Sequence, residues 1–205
     1  MGEPVLIIGE TGRGKTYSIR TMDPQKVGIL CVEKNRLPFE NRGFKTIKNA
    51  GYKEILAALS QKSNFNAFVV DDSQYLLVNE FFGRAEETGF KKFQDMAVNL
   101  HRLVHYVIKN TPDDVIVYFL HHPEYDTNSG KFKAKTVGKM IDQYWTLEGS
   151  FNVVLYARVE NGEYFFETQS PNETTTAKSP KGMFDLKIPN DLGAVDKRIR
   201  EFYGI

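Results

Sequence analysis

Apolar residues fall along the chain in short blocks separated by polar or helical stretches, and the period within each block assigns an element. Residues 4–8, 27–32 and 67–70 are continuous apolar runs, and 114–120 is rich in β-branched and aromatic residues. All four read as strands buried on both faces, with a further short strand at 44–47. Between them, helical spacing marks 52–61 (Ile55, Leu56, Leu59) and 90–109 (Phe93, Met96, Ala97, Leu100, Val104, Ile108), and a helix from about residue 14 stops before Pro24. From residue 151 the period changes to two. The runs 151–159 and 163–169 flank Asn161-Gly162, a hairpin turn signal. Residues 190–202 open on a capping residue and put Leu192, Val195, Ile199 and Phe202 on one helical face. Alternating buried strands and helices predict an α/β fold with a mostly parallel central sheet, closed by a C-terminal β-hairpin plus helix. No repeat, low-complexity tract or linker divides the chain, so residues 1–205 are expected to form a single domain.

Composition narrows the function classes. The 205 residues carry 27 basic and 26 acidic side chains, a net charge of +1, which argues against a whole-protein grip on nucleic acid but leaves room for a local basic loop. Cys31 is the one cysteine, so a disulfide framework and a thiolate zinc cluster are excluded, and a reducing, cytoplasmic setting is expected. No segment approaches the ~20 apolar residues that cross a bilayer, so no membrane is expected as a partner.

The strongest chemical signal is Gly9-Glu10-Thr11-Gly12-Arg13-Gly14-Lys15-Thr16, which fits G-x-x-x-x-G-K-[ST] between a buried strand and a helix. Glycines there let backbone N–H groups curl around an anion, Lys15 reaches β- and γ-phosphates, and the Thr16 hydroxyl ligates Mg²⁺. Tyr17, the next residue, completes the candidate nucleotide-binding set. The run Phe68-Val69-Val70-Asp71-Asp72 ends a strand in carboxylates: Asp71 is the candidate for the Mg²⁺ shell, and Asp72 orients water or caps the next segment. Hydrolysis also needs a water-positioning group. Glu33, just past the second strand, is the candidate. Of His121 and His122, at the end of the fourth strand, His121 is favoured as the polar sensor of the γ-phosphate. His101 and His105 share a zinc-compatible spacing but lack a third ligand, and read as an exposed helix face.

Residues 122–139 contain Pro123, Asn128, Gly130 and Gly138 and are expected to be a mobile loop. At its centre Lys131, Lys133 and Lys135 alternate with Phe132 and Ala134. Extended, this segment puts three ammonium groups on one side and Phe132 on the other, which suits single-stranded DNA, with phosphates on lysines and a base on the ring. The plainer alternative is a solvated basic hairpin. Residues 174–182 form a second polar cluster whose Lys178 and Lys181 are candidates for fingers acting in trans on a neighbouring subunit's phosphates, or are simply a surface loop.

Taken together, residues 9–16, Glu33, Val69-Val70-Asp71-Asp72-Ser73, His121-His122, Thr136-Val137-Gly138-Lys139-Met140-Ile141-Asp142, Ala177-Lys178-Ser179-Pro180 and Ile188-Pro189-Asn190-Asp191-Leu192 resemble a family of phage-encoded P-loop ATPases. That family is similar to a minimal RecA core, and some members act as single-strand annealing proteins in phage recombination. The resemblance implies a RecA-like P-loop NTPase fold, ATP with Mg²⁺, single-stranded DNA in the loop after the sensor strand, a phage single-strand-binding protein as partner, and a homo-oligomeric ring or short filament. It implies phosphate and Mg²⁺ roles for Lys15 and Thr16, the metal shell for Asp71 and water activation for Glu33. The leading expectation is an ATPase that binds single-stranded DNA and promotes annealing or strand pairing. Alternatives are a nucleotide-dependent binding module, a helicase loader and a small-molecule kinase.

Overall fold

The computed structural model describes residues 1–33, 36–136 and 145–205. Residues 137–142, part of the family resemblance and including Gly138, lie outside them. Ten strands are described: β1 (Glu3–Ile8), β2 (Val27–Cys31), β3 (Lys45–Lys48), β4 (Ala67–Asp71), β5 (Ile116–His121), β6 (Pro123–Asp126), β7 (Lys131–Ala134), β8 (Val153–Glu160), β9 (Glu163–Glu167) and β10 (Lys187–Pro189). Eight of them form one sheet in the order β10-β9-β8-β1-β5-β4-β2-β3. Pairing is parallel from β8 through β3 and antiparallel at β8/β9 and β9/β10. Among the described residues the α-helices are α1 (Tyr52–Ser60), α2 (Tyr75–Gly83), α3 (Lys91–Asn110) and α4 (Leu192–Tyr203). The chain is thus α/β, with a mostly parallel mixed sheet and a C-terminal helix. Among the described residues no helix is long and apolar enough to cross a membrane.

Continuous apolar strands are needed because both sheet faces are covered. Leu6, Ile8, Val70, Val117 and Phe119 pack against α1, α2 and α3 through Ile55, Leu77, Leu100 and Val104. The alternate residues Val5, Ile7, Val69, Tyr118 and Leu120 pack on the opposite face against Ile19 and the α4 residues Leu192, Val195 and Ile199. At the β8–β9 turn Asn161 (φ 51°) and Gly162 (φ 82°) both take the left-handed region, as a two-residue hairpin loop requires.

Four differences from the sequence reading bear on the site. The helix expected from residue 14 is a six-residue 3₁₀ segment, Thr16–Thr21. Helix α2 occupies a stretch where no element was expected; it buries Leu76 and Leu77 but lacks a clean apolar stripe. Residues 123–134 form an antiparallel hairpin, the plainer of the two readings of this segment, rather than a mobile loop, pairing Tyr125 with Phe132 and Glu124 with Lys133. Helix α4 is capped by Asp191, whose carboxylate accepts the Ala194 N–H, rather than by residue 190.

Candidate nucleotide site

At the carboxyl ends of β1, β2, β4 and β5 a cleft of about 780 Å³ opens, lined by the Gly-rich loop, Lys15, Thr16, Tyr17, Glu33, Asp72, Tyr75, His122 and Tyr164. Open parallel sheets place ligands at this edge, and the volume is that of a small-molecule site. Gly12 and Gly14 take φ of 78° and 86°, a conformation costly for any other residue. At Gly14 a Cβ would also lie 2.6 Å from the Tyr164 ring.

Lys15 is buried (6% exposed), and its Nζ donates to the carbonyls of Gly9 at 2.6 Å and Glu10 at 3.2 Å. Burial lowers its pKa to about 8, against the pull of Asp72, Asp71 and Glu10. The ammonium is therefore held inside the loop it would serve, ready to exchange carbonyl oxygens for phosphate oxygens. Across the sheet, the Thr16 hydroxyl donates to Asp71 Oδ1 at 2.9 Å. Burial and the neighbouring Asp72 raise the Asp71 pKa to about 6, while the Thr16 hydroxyl and Lys15 lower it. An oxygen-only pair of hydroxyl and carboxylate fits Mg²⁺, which takes one or two carboxylates plus substrate phosphates and keeps several waters.

The period of two along strands explains which groups meet. Asp71 shares parity with Ala67 and Val69, and Glu33 extends the parity of Val27, Ile29 and Cys31; both sets face the 3₁₀ segment that carries Thr16. In β5 that face belongs to Ile116, Tyr118 and Leu120, and the series continues to His122, not His121. Accordingly His122 lines the cleft, with Nε2 at 3.3 Å from Asp72 Oδ1 and its ring edge-on to Tyr75 at 6.0 Å. Asp72 itself sits at φ 60°, strained for a residue with a side chain.

His121, the expected phosphate sensor, instead points to the other face. It is 1% exposed, with Nδ1 at 2.9 Å from Ser73 Oγ and Nε2 at 2.7 Å from the Lys135 carbonyl. A carbonyl can only accept, so Nε2 carries the proton, and Nδ1 shares the single Ser73 hydroxyl proton with the Leu120 carbonyl, 3.0 Å from Ser73 Oγ. Burial lowers its pKa to about 4 despite the Lys135 carbonyl, and His122 and Lys15 lower it further, so the ring is neutral. It ties the segment after the acidic strand to the exit of the β6–β7 hairpin.

Glu33 faces the cleft as expected, and its Oε1 accepts from Asn79 Nδ2 of α2 at 3.0 Å. Glu10 and Arg13 pair with each other at 3.1 Å on the exposed rim of the loop.

The hairpin is less open than the sequence suggested. Lys131 and Lys133 do alternate with Phe132, but Lys131 pairs with Glu173 at 3.3 Å and Lys133 with Glu124 at 3.4 Å. Phe132 is half-buried between Tyr125 (5.1 Å) and Tyr156 (6.2 Å), so its ring is not a free platform; the exposed aromatic is its cross-strand neighbour Tyr125, 56% exposed. Lys135 falls past the end of β7. The hairpin base is fastened by buried Glu148, which accepts from the Ala134 N–H at 2.7 Å and the Thr176 hydroxyl at 3.1 Å. Lys178 bridges to Val154 through both backbone groups, and Lys181 is exposed; neither lines the cleft. His101 and His105 stack at 4.0 Å on α3, and no group of three metal-ligating side chains occurs among the described residues.

Tyr164, Tyr75 and Asn79 belong to the site but had escaped the sequence reading. Strand parity was the available signal for His122; for the others no local motif exists, since tertiary packing delivers them. The chain matches no family model and no curated protein sequence.

Proposed function

We propose that the chain binds ATP with Mg²⁺ in this cleft and hydrolyses it, as a RecA-like P-loop ATPase. One observation carries the reading: the Thr16–Asp71 hydrogen bond at 2.9 Å, which unites two sequence motifs 55 residues apart into one oxygen-donor pair beside the loop lysine. The strand order, with β5 between the loop strand β1 and the acidic strand β4, is compatible with that fold.

Lys15 leaves the Gly9 carbonyl to neutralise the β- and γ-phosphates, and the backbone N–H groups of residues 9–16 cradle them. Thr16 and Asp71 would hold Mg²⁺, which supplies charge neutralisation across the terminal phosphates when bound. Glu33 orients the attacking water. His122, fixed by Asp72, faces the γ-phosphate end, taking the role the sequence reading gave to His121. Single-stranded DNA on the β6–β7 hairpin, with annealing or strand pairing as the outcome, completes the proposal. It rests on the alternating lysines and on the family resemblance, as do a single-strand-binding protein partner and a ring or short filament.

A second reading, a nucleotide-dependent binding module with slow turnover, is favoured by the Asn79–Glu33 hydrogen bond, which holds the water-orienting carboxylate away from free motion. Steady-state ATP hydrolysis with Mg²⁺, with and without single-stranded DNA and with duplex DNA as control, decides between them. Stimulation by single strands alone, abolished in Lys15→Ala, is the expected result. Unchanged turnover in Lys15→Ala refutes the site, and ATP binding without turnover selects the module.

A further inference from the structure

The cleft has a direction. Glu33 follows β2, Asp72 follows β4 and His122 follows β5, all on one side of β1 in the sheet; β8 and then β9, which carries Tyr164, lie on the other. If the terminal phosphates sit at Lys15 and the Thr16–Asp71 pair, as in the function proposed above, the rest of a bound nucleotide runs towards β9. At that end two large aromatic side chains stand open at the mouth of the cleft, Tyr17 at 38% and Tyr164 at 44% exposure. Their ring centroids are 6.1 Å apart and their planes inclined by 50°.

We infer that Tyr17 and Tyr164 are the stacking site for the base of a purine nucleoside triphosphate, and that the site reads the face of the base and not its edge. The inference rests on the phosphate-site reading and adds the base-recognition chemistry that the Gly-rich motif leaves open. The rings are held by their surroundings. The Arg20 guanidinium covers Tyr17 at 3.9 Å from its centroid, and the Tyr164 ring lies against Gly14, where a Cβ would meet it at 2.6 Å.

Two polar side chains beside the rings, Arg20 and Asn190, make hydrogen bonds within the protein. Arg20 Nη1 donates to the carbonyls of Tyr17 and Asn190 and to Asn190 Oδ1. Asn190 Nδ2 donates to the Gly14 carbonyl at 3.2 Å. The two rings present π-faces at this end, and stacking is tolerant of base identity because every base presents a face. Larger bicyclic bases gain more contact, so adenine and guanine bind alike and ahead of cytosine.

Isothermal titration calorimetry with Mg²⁺ and four probes (ATP, GTP, CTP and inorganic tripolyphosphate) tests this. The wild-type chain should bind ATP and GTP with similar affinity, both more tightly than CTP and tripolyphosphate. In Tyr164→Ala the ratio of ATP to tripolyphosphate affinity should fall by at least about five-fold, the lower range of base–aromatic stacking, and Tyr164→Phe should restore it. If Tyr164→Ala loses tripolyphosphate as well, its fold or loop is damaged and Tyr17→Ala is judged by the same ratio. Ratios unchanged in both alanine variants overturn the inference and leave the phosphate site standing, with Tyr75 as the next ring to test. A wild-type preference for ATP over GTP of a hundred-fold overturns face reading. Failure of the wild type to bind any of the four probes overturns the phosphate-site reading, and this inference with it.

Discussion

His121 offers a quantitative test of the buried link between the acidic strand and the hairpin. In the folded chain burial holds its pKa near 4, while a free imidazole titrates at 6.5. At somewhat over 1 kcal/mol per pKa unit, the difference puts ~3 kcal/mol of pH-dependent stability on this one ring. The sign follows from proton counts. Between about pH 6.5 and 4 the unfolded chain takes up a proton that the native chain refuses, so stability is present above the upper value and is lost as pH falls through this window. Asp71, raised from 3.8 to about 6, works in the opposite direction and takes stability away as pH rises across its own window. That contribution is common to wild type and variant and cancels in their difference. His121→Gln keeps an amide donor for the Lys135 carbonyl but cannot titrate. Urea unfolding of both proteins at steps between about pH 7.5 and 4 should show the wild type losing ~3 kcal/mol relative to the variant on acidification. Parallel profiles would mean that the ring is protonated or solvated in the folded chain, and would refute the buried, neutral link.

Other perturbations probe separate parts of the structure. Glu148→Ala strands the Ala134 N–H and the Thr176 hydroxyl and should cost ~2 kcal/mol in urea unfolding; a loss near zero would show the hairpin base is held otherwise. Asn79→Ala removes the donor to Glu33 Oε1, and freeing that carboxylate should raise basal ATP turnover about five-fold; a fall would show that Asn79 positions Glu33 productively. Replacing Lys131, Lys133 and Lys135 together with alanine should lower the salt slope of single-stranded DNA binding by less than the ~2 that three free lysines give, because two of them already have carboxylate partners. An unaltered slope would place DNA elsewhere on the chain.

The parallel sheet was legible because burial on both faces forces unbroken apolar strands, and these were visible as 4–8, 27–32, 67–70 and 114–120. The Gly-rich loop at the cleft was legible because its glycines and Lys15 are contiguous, and Asp71 because it ends such a strand. What escaped were features set by partners distant in sequence. Helix α2 has no stripe of its own and owes its place to the sheet and α3. The hairpin stood only as an alternative to a loop because its two strands are four residues each, and its Phe132 looked free because nothing local tells of Tyr156. The exchange of His121 for His122 was a parity error within a legible strand, correctable from Tyr118 and Leu120.

The pairing of β1 also sets a timetable for synthesis. Leu6 sits between Phe119 of β5 and Val154 of β8, so the strand leading into the Gly-rich loop acquires its second neighbour roughly 150 residues after it is made. At ~5–20 residues per second this leaves β1 with an open edge for about 7–30 s on the ribosome. Until β8 emerges, β1 is therefore an apolar strand in need of shelter along that edge.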